Sequence, residues 1–432
     1  MKRPAIRAAL ALLLTVLLCA GANIAAFFID TQTMRSNAAQ GVAMLGEQGG
    51  IPQLIGGFKA AQLDNYTSVL ILKTAAYTGE ETLMQRAFGG TRTDMPTAEG
   101  QSAWEAYCTY ADGSLSPTGG LTYSRYWHGY TLPLRILLCV MNVSNIQMFL
   151  LAVQLCLLVL VLLLLQRRRL WALFPGFLAA YLVMMPPALG ICLQYAPVSL
   201  IMLTACALLL AFDPQIGRAI GLPTFFALTG ILTNYFDLLT FPLAAFGFPL
   251  VILIALRLFQ GVPGGKLTRE TMLCSLAWGL GYGGMWALKW GINALVFSPD
   301  LLRGVHDQIA LRLSSVSGEN QLSRLSVLLS NLDIVLAKPA FLLILGIAGV
   351  ASLALALNRV RHCGLRPDAR ALLLLLPVAA PVVWTLLMAN HSFDHTYYTY
   401  RNLACALFAG LSLVALWPRD AHPGRDSKSP VT

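Results

Sequence analysis

Long uncharged runs of apolar residues are the feature that most restricts how this chain folds. The first extends from Ala8 to Ile29, and another extends from about Asn145 to Leu165 and stops at the arginines Arg167–Arg169. About 20 such residues are enough for a helix to cross the ~30 Å hydrocarbon core of a bilayer. Inside that core every backbone N–H and C=O must be paired within the protein, so these runs have to be helical. They predict a helical membrane protein. The small residues Ala20-Gly21-Ala22 would also suit the cleavage site of a signal peptide, but the length of the first run favours an uncleaved first helix.

Eight more runs bring the predicted total to about ten spans. They lie at about 170–190, 195–212, 218–235, 239–258, 272–295, 338–358, 371–390 and 402–417. Only 12% of the residues are charged, against about 25% in soluble domains. This deficit argues against a soluble enzyme, a disordered protein and a nucleic-acid-binding module, despite a net charge of +10. The predicted fold class is therefore an all-α polytopic membrane protein.

Lysine and arginine set the predicted orientation, because they collect in cytoplasmic loops. The short links near Gln194 and Asp237 hold neither residue type, whereas the links on the other side are basic. Both termini are then cytoplasmic, and the short chain with plain loops favours a bacterial cytoplasmic membrane. The predicted division is a first transmembrane helix (1–29), a large extracytoplasmic loop with short helices (30–133), a transmembrane bundle (134–297), a second extracytoplasmic loop (298–337), further transmembrane helices (338–417) and a cytoplasmic tail (418–432).

Titratable residues gather where the predicted helices reach the outer face. Asp30 follows the first helix directly, and Asp64 begins the segment Asp64-Asn65-Tyr66-Thr67. Either carboxylate is a candidate general base that removes a proton from an acceptor hydroxyl. The competing interpretations are an acid at the water boundary for Asp30 and a helix cap for Asp64.

Two further segments are candidates for substrate binding. The first loop ends in an aromatic and basic cluster that contains Arg125, Tyr126, Trp127 and His128. Arginine binds phosphate through two parallel hydrogen bonds, and flat aromatic faces suit sugar rings. An interfacial aromatic belt is the competing interpretation of this cluster.

The second segment is a short outer loop between two apolar runs. It supplies His391, Asp394, His395 and Arg401. A metal site there lacks a fixed fourth ligand, so binding of a lipid-linked phosphate is the better hypothesis. Asp237, in a polar break on the same side, either joins this site or caps the next helix.

The architecture resembles that of the GT-C superfamily of polytopic membrane glycosyltransferases. The resemblance is carried by the span number, the large first outer loop and an acidic residue directly after the first helix, here in Phe27-Phe28-Ile29-Asp30. It implies transfer of a sugar from a polyprenyl-phosphate donor, with Arg125, His128, His391 and Arg401 as candidates to bind that donor. The acceptor (a glycan, a lipid or a protein) stays open. No cofactor is expected, although a divalent metal is left open.

Two other functions remain as alternatives. A transporter or flippase of an envelope glycolipid requires a polar pathway across the membrane, whereas the sequence is polar on one side only. A non-enzymatic envelope-assembly protein would hold the same His and Arg residues in separate contacts. The expected partners are membrane lipid and a lipid-linked sugar donor, and nucleic acid is not among them.

Overall fold

The computed structural model describes residues 2–94, 97–109, 120–298, 301–318, 320–364 and 366–418. Apart from Pro418, the predicted tail 418–432 lies outside the described residues. The α-helices are α1 Lys2–Ala26, α2 Gln32–Gln48, α3 Asn65–Ala75, α4 Leu83–Gly89, α5 Ala103–Cys108, α6 Thr131–Leu138, α7 Val143–Arg167, α8 Phe174–Val183, α9 Pro186–Ile191, α10 Ala196–Ala219, α11 Leu222–Phe236, α12 Leu243–Phe259, α13 Gly264–Val296, α14 Leu301–Leu313, α15 Arg324–Leu336, α16 Pro339–Cys363, α17 Leu375–Leu387, α18 Ala389–Asp394, α19 Thr396–Thr399 and α20 Leu403–Leu416.

Short elements complete the described chain. Four 3₁₀ turns lie at Lys59–Ala61, Trp171–Leu173, Ala369–Leu374 and Tyr400–Asn402. Two small antiparallel ladders pair β1 (Arg92–Thr93) with β2 (Gly120–Leu121) and β3 (Val316–Ser317) with β4 (Asn320–Gln321). The described chain is thus a helical protein, and β3 and β4 form the link between the two amphipathic helices of the second loop, α14 and α15.

Six helices of the described chain are long and apolar enough to cross a membrane. They are Ala5–Ala26, Val143–Arg167, Ala196–Ala219, Pro339–His362, Ala369–Leu387 and Thr396–Leu416. Two shorter apolar helices, Trp171–Val183 and Leu243–Phe259, accompany them. A helical multi-pass membrane protein is therefore supported, while the count of ten spans stays a prediction.

One predicted span, at 170–190, is divided in the structure. Helix α8 ends at Val183, and Met185 then takes a left-handed backbone with φ of 62°. Pro186 follows as the first residue of α9. Proline suits the first turn of a helix but cannot continue a preceding one, because it lacks the N–H group. The apolar run therefore folds as two short helices.

Burial separates a central helix from peripheral ones. Every residue of α12 from Leu243 to Leu258 is buried, so that this helix is enclosed by protein on all sides. By contrast, Leu18 of α1 is 71% exposed and Val350 of α16 is 70% exposed. Apolar residues exposed along whole helices are unusual in soluble proteins and mark surfaces that contact lipid or partners.

Both loop regions pack against the same end of the helical bundle. In the first, Arg135 donates to the backbone oxygens of Ile29 and Tyr77, which joins α6 to the end of α1. In the second, Asn331 of α15 donates to the backbone oxygen of Ser392. The Tyr397 hydroxyl in turn donates to Asp64 of the first loop, so both predicted loops, 30–133 and 298–337, contact the segment that follows His391.

A buried ion triad lies in another part of the bundle and connects α10, α12 and α13. Arg257 donates to both carboxylate oxygens of Asp213, at 3.0 and 2.7 Å, and to Glu270 at 2.7 Å. The Asp213 side chain is nearly fully buried. Because each charge in the triad has an opposite partner, the desolvation cost of burying it is offset.

Candidate functional site

A cavity of about 410 Å³ lies between α13, α14 and α17. We call it the aromatic cavity. Its lining residues are Arg125, Tyr126, Leu239, Tyr282, Gly283, Trp286, Trp290, Gln308, Ile309, Arg312, Leu313, Trp384 and Met388. Aromatic rings and aliphatic side chains make up most of the wall, and the polar groups are few. This composition is typical of ligand sites, where a small number of polar groups fix orientation.

Arg312 carries a positive charge at the wall of the aromatic cavity. Its guanidinium donates to Nδ1 of His391 at 2.7 Å and to the hydroxyl of Tyr126 at 3.2 Å. Both partners are neutral. Among the described residues, no carboxylate lies within ion-pair distance of Arg312. A half-buried guanidinium with neutral partners attracts an anionic ligand.

Arg125 is the second cation of the aromatic cavity. Its guanidinium donates to Oε1 of Gln308 on α14 and lies 4.7 Å from the ring centroid of Tyr123. These contacts leave its charge uncompensated by any carboxylate in the described part of the chain. The sequence hypothesis that Arg125 and Tyr126 contribute to a binding site is therefore consistent with the geometry.

His391 is neutral in the fold, and its tautomer is fixed. Nε2 lies 2.8 Å from the backbone oxygen of Leu239, which can only accept, so Nε2 carries the proton. Nδ1 then accepts from Arg312. Burial and the neighbouring charge of Arg312 hold the pKa of His391 well below its ordinary value of 6.5. His391 therefore supports Arg312 rather than contacting a ligand as a cation.

His395 and Asp64 extend the site away from the aromatic cavity. The His395 ring lies 4.9 Å from that of His391 and stacks on Tyr398. The hydroxyl of Tyr397 donates to Asp64 at 3.2 Å. Asp64 also caps α3 by accepting from the backbone N–H of Thr67, which confirms the helix cap and leaves its role as a base a prediction. Burial raises the pKa of Asp64 above its ordinary value.

Asp237 lies behind the wall of the aromatic cavity. Its carboxylate accepts from the backbone N–H of Thr240 at 2.9 Å and from the Thr240 hydroxyl at 2.6 Å. The side chain is buried and does not line the cavity. Asp237 therefore fixes the turn before α12 and lies behind the cavity wall, and its assignment to substrate binding stays a prediction.

Stability should depend on the protonation of Asp237. Burial raises the pKa of Asp237 from 3.8 to about 6, so the folded protein holds this proton more tightly than the unfolded chain. The resulting stabilisation is complete below the unfolded pKa of 3.8 and is lost as the pH rises through about 6. Asp237→Asn keeps an acceptor for Thr240 but does not ionise. We expect the variant to lack this pH-dependent gain and to match or exceed the wild type in thermal stability at neutral pH.

Thermal unfolding of both proteins in detergent, from neutral pH to about pH 4, checks this expectation. The difference between wild type and variant isolates Asp237 from other titrating groups. An identical pH dependence of the two melting temperatures would contradict it.

Arg401 is enclosed by the fold, and its role in binding a lipid phosphate stays a prediction. The side chain is 0% exposed. Its three nitrogens donate to backbone oxygens of Met184, Tyr397 and Ala60. The guanidinium also lies 4.5 Å from the Tyr195 ring centroid. Arg401 therefore links three backbone segments, and its buried side chain is not accessible from the protein surface.

Trp127 and His128 are buried and make internal hydrogen bonds, and their assignment to substrate binding stays a prediction. The indole N–H of Trp127 donates to the backbone oxygen of Met285. Both ring nitrogens of His128 are engaged, with the hydroxyl of Tyr130 and the backbone oxygen of Tyr123. Burial lowers the pKa of His128 to about 3. Tyr126 and Arg125 are the members of this cluster that line the cavity.

Asp30 and Asp394 lie outside the aromatic cavity. Asp30 is exposed and forms an ion pair with Arg35. Asp394 accepts from the Ser317 hydroxyl at 2.6 Å and from the Asn390 amide, which fixes β3 to α18. No contact among the described residues joins Asp30 to Asp64, so the two candidate bases lie in separate environments.

No specific sequence pattern marks Arg312, the residue that best defines the site. Arg312 is flanked by Leu311 and Leu313 in an amphipathic helix, like many surface arginines. Arg324, which follows twelve residues later, caps backbone oxygens of Leu386 and Leu313 instead. The two arginines differ only in their tertiary contacts, so no local sequence pattern distinguishes Arg312 from Arg324.

No metal site is formed by the described residues, in which no group of three or more His, Cys, Asp or Glu side chains is placed to hold an ion. The chain matches no protein family model, no curated protein and no solved structure. The aromatic cavity, its two arginines and the buried carboxyl groups nearby are therefore the basis for any functional conclusion.

Proposed function

We propose that this chain is a membrane glycosyltransferase whose aromatic cavity binds the phosphate and sugar of a polyprenyl-phosphate donor. The observation that carries the proposal is Arg312, a guanidinium at the cavity wall whose partners, His391 and Tyr126, are both neutral. Arg125 adds a second positive charge to the same wall. A phosphate between these two groups would supply the opposite charge that neither arginine finds in the described chain.

The rest of the wall suits the other parts of such a donor. Rings of Trp286, Trp290 and Trp384 offer flat faces on which a sugar can stack, and Tyr126 adds a hydroxyl. Ile309, Leu313 and Met388 give aliphatic surface for an isoprenoid chain, whose burial contributes about 25 cal/mol per Å². The ligand class that fits the two arginines, the aromatic rings and the aliphatic surface together is an amphipathic phosphate with a polar, ring-shaped head group.

The proposed reaction is a displacement at the anomeric carbon. The acceptor oxygen forms a bond to this carbon while the bond from carbon to the phosphate oxygen breaks, and polyprenyl phosphate leaves with the electron pair. Arg312 and Arg125 stabilise the negative charge that develops on the departing phosphate. The acceptor proton passes to a carboxylate.

Asp64 is our candidate for that base rather than Asp30, with the Tyr397 hydroxyl as the group that relays the proton, since Asp64 itself does not line the aromatic cavity. Asp64 is linked through Tyr397 to the ring cluster of His395 and His391. Its raised pKa brings proton affinity closer to neutral pH, which favours a general base. Asp30 instead remains paired with Arg35 at the surface.

Binding of farnesyl phosphate tests the donor site. We expect the protein in nanodiscs to bind farnesyl phosphate more tightly than farnesol, which has the same chain without charge. Arg312→Gln should weaken farnesyl phosphate binding roughly thirtyfold, since one charge-assisted contact is worth about 2 kcal/mol. Farnesol binding should not change. Fluorescence of the cavity tryptophans provides the measurement.

Two matched controls accompany this variant. His306→Gln changes an exposed residue of the same helix, and Arg269→Gln makes the same chemical change at an exposed position on α13. Both should bind like the wild type. Equal affinities for farnesyl phosphate and farnesol in the wild type would refute the donor site.

A transporter or flippase of an envelope glycolipid is the second candidate. It is favoured by one observation: in the described part of the chain, no Asp or Glu side chain lines the aromatic cavity. Proteoliposomes loaded with a polyprenyl-phosphate hexose and an acceptor extract distinguish the two functions. An enzyme releases polyprenyl phosphate, whereas a transporter moves the intact glycolipid between leaflets.

A further inference from the structure

We infer that Asp237, the backbone of Leu239 and His391 act as a hydrogen-bonded support that holds Arg312 in the orientation that binds phosphate. This inference rests on the proposed function, because it assigns positioning residues to the same anion site. It concerns groups that do not contact the ligand themselves. Their effect reaches the ligand through the guanidinium of Arg312.

The support begins with a strained turn. Leu239 has a φ of 66°, in the left-handed region that side-chain-bearing residues rarely occupy. Asp237 stabilises this turn by accepting from the backbone N–H and the hydroxyl of Thr240. Strained backbone of this kind persists only where the surroundings fix it, and it concentrates at functional sites. Here it directs the Leu239 carbonyl oxygen toward His391.

The second step is the imidazole ring. Nε2–H of His391 donates to Leu239 at 2.8 Å, which leaves the Nδ1 lone pair for Arg312 at 2.7 Å. The other tautomer would carry the proton on Nδ1 and present an N–H to the guanidinium, which would repel it. By accepting from Nε2–H, the Leu239 carbonyl therefore fixes the tautomer that Arg312 meets.

The third step is the guanidinium itself. His391 and Tyr126 fix it at both terminal nitrogens. An arginine has five N–H donors, so two contacts leave three for a ligand. An arginine held in place before the ligand arrives loses less conformational entropy on binding than a free one. The support therefore favours phosphate over an uncharged head group.

A pair of substitutions at His391 separates positioning from general structure. His391→Asn places its side-chain oxygen where Nδ1 lies and can still accept from Arg312. His391→Gln places its amide nitrogen where Nε2 lies and can still donate to Leu239, but nothing remains for Arg312. The readout is the affinity for farnesyl phosphate divided by that for farnesol, measured in nanodiscs near neutral pH.

We expect this ratio to fall about tenfold in His391→Gln and to stay within about threefold of the wild type in His391→Asn. Farnesol affinity should be unchanged in both, since the apolar wall is intact. Equal ratios in the two variants would overturn the inference. A purely structural role predicts a loss of farnesol binding together with farnesyl phosphate binding.

Asp237 gives an independent test should a His391 variant fail to fold. Asp237→Asn keeps the acceptor for Thr240 and should keep the ratio, whereas Asp237→Ala removes it and should lower the ratio about tenfold. A ratio unchanged in Asp237→Ala contradicts the support. An Arg312→Gln variant that binds farnesyl phosphate like the wild type would refute the proposed function. If Arg312→Gln weakens this binding but His391→Gln and Asp237→Ala do not, the donor site stands and only the support is refuted.

Discussion

Arg257→Leu is expected to lower the free energy of unfolding by about 3–5 kcal/mol, because it leaves two carboxylates without their partner. Asp213 is almost completely buried and receives two hydrogen bonds from Arg257. Glu270 loses its contact as well. Unpaired buried charge is among the costliest defects in a folded protein. The unfolding of the protein in mixed detergent micelles, followed by circular dichroism, measures the loss.

The control for Arg257→Leu is Arg269→Leu, which removes an exposed arginine near the start of the same α13 that carries Glu270. We expect a change within about 0.5 kcal/mol for this surface substitution. A triple variant with leucine at Asp213, Arg257 and Glu270 should recover much of the loss, because no charge is left unpaired. A single-variant loss below about 1 kcal/mol would show that the triad is not energetically coupled.

Gly283→Trp should abolish ligand binding in the aromatic cavity without unfolding the protein. Gly283 lines the cavity, and a Cβ added there meets no atom within 4 Å. The fold therefore accepts a side chain that occupies the ligand's place. We expect affinities for farnesyl phosphate and farnesol to fall together by at least about a hundredfold, or about 2.7 kcal/mol. Binding in nanodiscs provides the measurement.

Gly284→Trp is the matched control for this steric block. Gly284 is the next residue of α13, and a Cβ there also meets no atom within 4 Å, but it faces a different groove that includes Leu12 and Ala227. This variant should bind both compounds like the wild type. Binding lost equally at both positions would indicate disruption of α13, and binding retained in Gly283→Trp would place the ligand elsewhere.

The helical class and the helices of the second loop could be predicted from sequence, because apolar runs and amphipathic periodicity are local. The start of α9 could not, since it depends on the left-handed backbone of Met185 before Pro186. Long-range contacts could likewise not be predicted from the sequence. Arg401 and His391 are similar candidates in sequence, yet one donates only to carbonyl oxygens and the other supports a cavity arginine.

The candidate site could also be predicted only in part, because some of its residues lie in a local cluster and others are joined by long-range contacts. Tyr126 and Arg125 came from a dense local cluster, and they line the cavity. The sequence nominates Asp64 as a base or a helix cap, but its contact with Tyr397 joins residues more than 300 positions apart. Arg312 carried no local signal at all. Residue type can nominate charged groups, but only packing decides which of them remains without an opposite charge.

The lining of the aromatic cavity has a consequence for how the protein is made. Its wall draws on residues from Arg125 to Met388, and the ring that accepts from Arg312 is His391. Because the chain is synthesised from its N-terminus, both cationic residues emerge well before Trp384. A nascent chain released before that point would lack Trp384, Met388 and His391, and with them part of the cavity wall and the ring that accepts from Arg312.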